Sequence, residues 1–348
     1  MSGGVKMFNK KRNRALRILV VAFLSVGLFF AGCVQEKPQE GVAPTPTEQK
    51  TKTTIYYGGC KVGGAAYSIA VGIQSVVNKY AKDVVIDIQT TNCGVENIDL
   101  VASKQLDMGM AGSVSLYQGY YGMGAWEGKP RKNLRAIHTY YITAVQAVVL
   151  KDSSIKSIWD IKGKRVAVGV KGSGSELRVR EALEFLGITY NDFEPYFISY
   201  SDAVDALKTG KIDMAIFSTG YPVPKVLELE VTHPIRLIEY PPEYGKKLAK
   251  ERPYFMYFEI PAGTYKGQDK PVPTVAGYTV AFAHKDVPEE VAYEVVKTAL
   301  EHYMEVAQSH SRAKEWSRKE VVLDPILNMG IPLHPGAEKY YKEIGWLK

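Results

Sequence analysis

The chain has 348 residues, of which 46% are apolar, 11% aromatic and 23% charged. That balance supplies core for two domains of ordinary size and excludes disordered, collagen-like and disulfide-scaffold chains. The formal net charge of +7 does not make a nucleic-acid binder, because six of the 44 basic residues lie in residues 1–32, which hold no acid. They are Lys6, Lys10, Lys11, Arg12, Arg14 and Arg17, and without them 38 basic residues face 37 acidic ones. No later run of Lys or Arg is dense enough to track a phosphate backbone.

These basic residues precede Ile18–Phe30, thirteen residues that are apolar apart from Ser25 and Gly27. A spanning helix needs about 20 such residues, whereas a signal-peptide core needs about 7–15. Ala31-Gly32-Cys33 then closes the run with two small residues and a cysteine, which resembles a lipoprotein signal, with Phe30 where Leu is usual. In such signals the cysteine is lipidated and begins the mature chain. Residues 34–53 are rich in Pro, Thr, Gln, Glu and Lys and have little to bury, so they read as an extended or disordered tether. The expectation is a signal peptide over 1–32, a tether over 33–53 anchored at Cys33, and a folded body on the extracytoplasmic face of a membrane. Firm anchoring needs two or more lipid chains.

From Thr54 onward the pattern alternates. Ile55–Tyr57 reads as a strand, followed by a Gly-rich loop and a helix with Ile69, Ile73, Val76, Val77 and Tyr80 on one face. Val84–Gln89 reads as a strand, Val95–Ser103 as a helix and Met108–Ala111 as a third strand. Helix-length crossovers imply a parallel sheet with helices on both faces. Cys60 and Cys93 follow the first two strands, so neighbouring parallel strands would place both sulfurs at one sheet edge. A disulfide and two buried thiols both remain open.

The same order recurs. Arg165–Val170 reads as a strand, Lys171–Ser175 as a loop, Glu176–Leu186 as a helix, Tyr196–Ser199 as a strand, Asp202–Lys208 as a helix and Met214–Phe217 as a strand. Gln105–Met110 and Lys211–Ile216 match in pattern and share Asp-Met. Two similar α/β lobes follow. Ala144–Leu150 and Thr274–Ala283 are apolar strands flanking the second unit, and Glu289–Val306 is helical without strands of its own. The expected division is therefore 54–145 with 274–348 as lobe I and 146–273 as lobe II, joined by a two-strand hinge over a cleft.

In open α/β sheets ligands sit beyond the carboxyl ends of the strands. The loops there, 58–68, 91–97, 112–115, 172–175 and 218–222, are rich in Gly, Ser, Thr and Asn. Gly lets backbone N–H groups approach a ligand, and a helix N-terminus carries roughly +0.5 charge. Gly172-Ser173-Gly174-Ser175 before a helix is the best anion-binding candidate. No phosphate-loop or dinucleotide fingerprint occurs, no His-Glu-x-x-His suggests zinc, and no Gly-x-Ser-x-Gly elbow suggests a hydrolase. His138, His233, His284, His302 and His310 have no partner at suggestive spacing, and His334 reads as a structural loop residue. Binding without a metal, cofactor or catalytic residue is the better account.

These loops, in this order, resemble the TAXI family of solute receptors for tripartite ATP-independent periplasmic (TRAP) transporters, over about Thr54–Trp346. Gly63-Gly64-Ala65-Ala66-Tyr67-Ser68 is similar to its Gly-Gly-x-Tyr-Tyr motif, with Ala66 for the second Tyr. Thr91, Gly94, Val95, Glu96 and Asn97 are similar to Thr-x-Gly-Ser-x-Glu-Asn, with Val95 following Gly94 directly. Ile158–Val168 with Gly172–Ser175, Gly220-Tyr221-Pro222, Ile260–Tyr265 and His334–Tyr341 continue the match. The resemblance implies a type II periplasmic-binding-protein fold of two Rossmann-like lobes, and delivery of a solute to a TRAP permease driven by an ion gradient. It implies a small, carboxylate-bearing solute such as glutamate or glutamine, although Ala66 and Cys93 replace aromatic or polar family residues. Tyr67, Ser68, Asn97, Ser113, Ser173, Ser175 and Tyr221 become candidate ligand contacts, with the backbones of Gly64, Gly172 and Gly174 as donors. The rival readings are a receptor for an ABC importer, an extracytoplasmic enzyme on the same fold, and a receptor presenting solute to a sensor kinase.

Overall fold

The computed structural model describes residues 52–62 and 65–348. The signal segment, Cys33, residues 33–51 of the tether and Gly64 lie outside the described residues. Among the described residues no helix is long and apolar enough to cross a membrane.

Strands β1 (Thr53–Gly58), β2 (Val84–Gln89) and β3 (Met108–Gly112) run parallel with β1 in the middle. Helix α1 (Ala65–Tyr80) links the first pair, since Ile69, Ile73, Val76 and Val77 form one buried stripe. Helix α2 (Gly94–Ala102) links the second pair, and α3 (Ser113–Tyr121) starts directly from the end of β3. Asn97 of α2 is fully buried, and its amide donates to the carbonyls of Gly58 at 3.1 Å and Met110 at 2.9 Å. One side chain thus ties the ends of β1 and β3 together.

The second group has the same order: β5 (Arg165–Ala167), α4 (Gly174–Phe185), β6 (Glu194–Tyr196), α5 (Tyr200–Lys208) and β7 (Met214–Thr219). Here β5 lies between β6 and β7, again in parallel. Two long strands, β4 (Leu134–Leu150) and β10 (Val272–His284), run antiparallel to each other and join the groups. Residues 279–283 of β10 pair with β3, whereas residues 144–148 of β4 pair with β7. The whole forms one path, β2-β1-β3-β10-β4-β7-β5-β6. Before β10 come α6 (Pro224–Glu230), β8 (Ile235–Ile238), α7 (Pro242–Glu251) and β9 (Met256–Ile260), with β8 on β4 and β9 on β10. Beyond β10 the chain is helical: α8 (Glu289–Glu301), α9 (Tyr303–Ser309), a 3-10 segment at Ser311–Ser317, α10 (Lys319–Val322), α11 (Asp324–Met329) and α12 (Pro335–Glu343). Val295 and Val296 of α8 and Tyr340 and Tyr341 of α12 share one buried core with Ile69, Ile73 and Val77 of α1. The C-terminal helices therefore cover the first strand group.

Several expectations need correction. The sheet is mixed rather than parallel, because β4 and β10 oppose all their neighbours. Strand β4 begins ten residues before Ala144, since Arg135 and His138 interrupt an apolar run that is nonetheless pleated and mostly buried. Strand β5 stops at Ala167 rather than Val170, as the chain turns at Gly169 with φ 95°. Tyr196–Ser199 shifts back to Glu194–Tyr196, because Ser199 is taken as the N-cap of α5. The helix expected over Glu289–Val306 is broken at His302.

Candidate functional site

Helices α2, α3 and α4 all begin at the carboxyl ends of strands, and between them lies a cavity of about 440 Å³. Its wall comprises Gly94–Glu96 from the first turn of α2, Gly172–Ser175 before and in α4, and Ser218 and Thr219 at the end of β7. Tyr141 and Thr143 of β4 and Thr279 of β10 add polar groups from the crossing strands. The first backbone N–H groups of a helix have no intrahelical partner, so convergent N-termini present donors and partial positive charge to one space.

The loop before α4 is built to hold that shape. Gly172 has φ 74°, a conformation that suits glycine. Ser173 is the N-cap, its hydroxyl accepting from the Glu176 N–H at 3.2 Å, while the Glu176 carboxylate accepts from the Gly172 N–H at 3.1 Å. Ser175 donates to the Ser218 carbonyl at 3.1 Å, which ties the first turn of α4 to the end of β7. Across the cavity, Cys93 precedes α2 and is joined by a disulfide to Cys60, so the bond links the loops that follow β1 and β2. Glu96 carries the first-turn charge of α2, and its carboxylate accepts from the Asn92 N–H at 2.5 Å.

The strongest electrostatic feature is a residue that sequence reasoning passed over. Arg178 of α4 lines the cavity yet is only 2% exposed. Its guanidinium donates to the Ser218 hydroxyl at 2.9 Å and to the Tyr278 carbonyl at 3.5 Å, and its Nε has no partner. Among the described residues no ion pair joins it to a carboxylate. Burial pulls its pKa down to about 10, with Tyr200, Tyr141 and Glu181 acting the other way, so it stays charged at neutral pH. A buried charge is costly unless matched by an opposite one. The hydroxyl of Thr143, also buried and lining the cavity, has no partner either. The sequence did hold a signal. Arg178 sits one turn after Gly174 on the helix face that carries Val179, Ala182 and Leu183, where a charge is out of place.

Of the candidate contacts, Gly172, Ser173, Gly174 and Ser175 line the cavity. Asn97 and Ser113 are buried in structural bonds behind it; the Ser113 hydroxyl donates to the Tyr254 carbonyl at 2.8 Å and accepts from the Tyr278 N–H at 3.1 Å. Tyr67 and Ser68, in the first turn of α1, do not line it, whereas Ala66 does. Nor does Tyr221. Its ring lies 5.2 Å from that of Phe258 and 3.9 Å beneath the Arg312 guanidinium, which also donates to the Tyr221 carbonyl. His334 caps α12, its Nδ1 accepting from the Gly336 N–H at 3.2 Å while Nε2 donates to the Val287 carbonyl at 3.0 Å. Among the described residues no group of three or more His, Cys, Asp or Glu gathers as a metal site.

Residues 58–345 match the NMT1-like family. Among solved structures the chain is similar to PhnD1 of Prochlorococcus marinus MIT 9301 in complex with methylphosphonate, at 12% identity over 84% of this chain and 99% of that one, with a TM-score of 0.50. It is also similar to the periplasmic aliphatic sulphonate binding protein SsuA of Escherichia coli, at 17% identity over 83% and 78% of the two chains and a TM-score of 0.48. The arginine-, lysine-, histidine-binding protein ArtJ of Geobacillus stearothermophilus matches at 14% identity over 76% and 95%, with a TM-score of 0.43. The fold is that of the type II periplasmic solute-binding proteins.

Proposed function

Because the chain belongs to the NMT1-like family of periplasmic-type solute-binding proteins, we propose that it is an extracytoplasmic receptor, lipid-anchored through Cys33, which captures a small organic anion and delivers it to a TRAP-type permease. Arg178 carries this reading. A buried guanidinium without a carboxylate partner, lining a cavity where helix N-termini meet, calls for an anion to balance it. The backbone N–H groups of Gly174 and Ser175, in the first turn of α4, and the Thr143 hydroxyl supply neutral donors beside that charge, which suits a carboxylate-bearing solute. The two strand groups act as lobes, 54–145 with 274–348 and 146–273, with β4 and β10 as the hinge. Solute touching both sides favours the closed state by that difference in contact.

Native mass spectrometry of the full chain, released from detergent micelles, tests the proposal. The expected result is a co-purified small molecule of net negative charge that is absent from Arg178→Met. Recovery of a neutral or cationic molecule, or an anion equally retained by Arg178→Met, overturns it.

A further inference from the structure

Two glycines flank the Arg178 guanidinium, and ordinary backbone geometry explains neither of them. Gly112, at the end of β3, has φ −65° and ψ 146°, an extended conformation open to every residue. A Cβ built there would meet one atom within 4 Å, a terminal nitrogen of Arg178 at 3.0 Å. Gly277, in β10, also has no positive φ. A Cβ there would strike Arg178 Nε, come within 3.0 Å of Arg178 Cζ and lie 2.7 Å from the Ser113 hydroxyl. Strand register brings these positions together. Gly112 lies opposite Thr279, and Gly277 opposite Thr143, with residues 277 and 279 on the same face of β10. That face also carries Thr143 and Thr279, which line the cavity.

We propose that Gly112 and Gly277 are positioning residues: together they leave a side-chain-free slot on the sheet that seats the Arg178 guanidinium against the sheet at the edge of the cavity, where its charge faces a bound anion. The inference rests on reading Arg178 as the anion contact. The slot fixes the guanidinium on one side while Ser218 holds it on the other. A methyl group at either glycine lifts the charge into the space the solute would occupy. Side-chain size at these two strand positions thereby sets anion affinity.

The test uses the full chain in detergent, with sodium acetate and methylphosphonate as probes. The Arg178 Nε–H resonance is assigned by its loss in Arg178→Lys and followed by NMR through each titration. In the unaltered protein it should shift saturably with at least one probe. In Gly112→Ala it should already be displaced without anion, and affinity should fall tenfold or more while the thermal midpoint stays within a few degrees. Gly277→Ala should lose more; if it does not fold, Gly112→Ala decides alone. In the double variant Gly112→Ala with Arg178→Lys, the glycine change should add nothing to the lysine change, because the fork it collides with is gone. An unchanged resonance and affinity in Gly112→Ala, or additive losses in the double variant, overturns the slot and leaves the receptor reading standing. A resonance indifferent to both probes in the unaltered protein, together with a co-purified anion that Arg178→Met retains, overturns both.

Discussion

At the scale of single residues, burial decides what a side chain does more than its identity does. His138 is buried with neither ring nitrogen partnered, wedged edge-on against Tyr140 and Trp316. Burial pushes it down to about 3, and His334, likewise buried, to about 4. Between the free imidazole value near 6.5 and these depressed values, the unfolded chain takes up protons that the folded chain refuses. Stability is therefore intact above about pH 6.5 and falls as the pH drops, by about 3 kcal/mol for each ring at pH 4. Urea unfolding from pH 7 to pH 4 should record this loss, and His138→Phe should remove its own share. The same contrast limited what the sequence disclosed about the site. Asn97, Ser113 and Tyr221 were legible as polar residues in the right loops, but their contacts are with carbonyls, backbone N–H groups and other side chains of the protein. Arg178 was hidden for the opposite reason. Glu176, Arg180, Glu181 and Glu184 share its helix, so it reads as one of a charged set, and its place on the face of Val179, Ala182 and Leu183 is the one sign that the fold turns it inward.

At the scale of elements, the Ser173 cap of α4 and the disulfide act on stability in separable ways. Ser173 caps α4 through one hydroxyl, so Ser173→Ala should cost about 1 kcal/mol in unfolding free energy. It should weaken anion capture only modestly, since the backbone donors of the loop remain. The Cys60–Cys93 bond closes a loop with a sequence separation of 33 residues, for which restriction of the unfolded chain is worth about 3–4 kcal/mol. A calorimetric scan with and without reductant should show a matching drop in thermal midpoint, and the Cys60→Ser, Cys93→Ser double variant should ignore the reductant. Element by element, the strands and helices of both repeating units were readable because apolar spacing and Gly-Ser loops punctuate them. The N-terminal half of β4 was not, because Arg135 and His138 break its pattern while its neighbours in the sheet supply the order. The four- and five-residue strands β8 and β9 carry Arg236 and Glu259 and owe their form to pairing with β4 and β10.

At the scale of the whole molecule, two side-chain clusters stand out among the ties that span the strand groups away from the crossing strands. One is a buried carboxylate: Glu181 of α4 accepts from Gln118 of α3 at 2.6 Å, and from Arg252 at 2.6 Å and Tyr254 at 2.8 Å. The other is the Arg312 guanidinium over Tyr221, itself paired with Glu315 at 2.8 Å. Tyr221 follows Ser218 and Thr219 of the cavity wall, and Tyr141 of the same wall stacks at 5.9 Å on His310, two residues before Arg312. Arg312→Ala should therefore release bound anion faster with little change in association rate, as stopped-flow displacement would measure.

The double crossing has a further consequence for how the chain reaches this state. When β4 leaves the ribosome or a translocation pore, its partner β10 is still to come, with residues 151–271 between them. Until then β3 and β4 present unpaired backbone edges, and such distant pairing slows folding and invites aggregation. Strands β5–β7 can assemble meanwhile, because their pairing partners are already made. Maturation thus ends with about the last fifth of the polypeptide, and a chain truncated before Val272 would be a substrate for proteases rather than a smaller receptor.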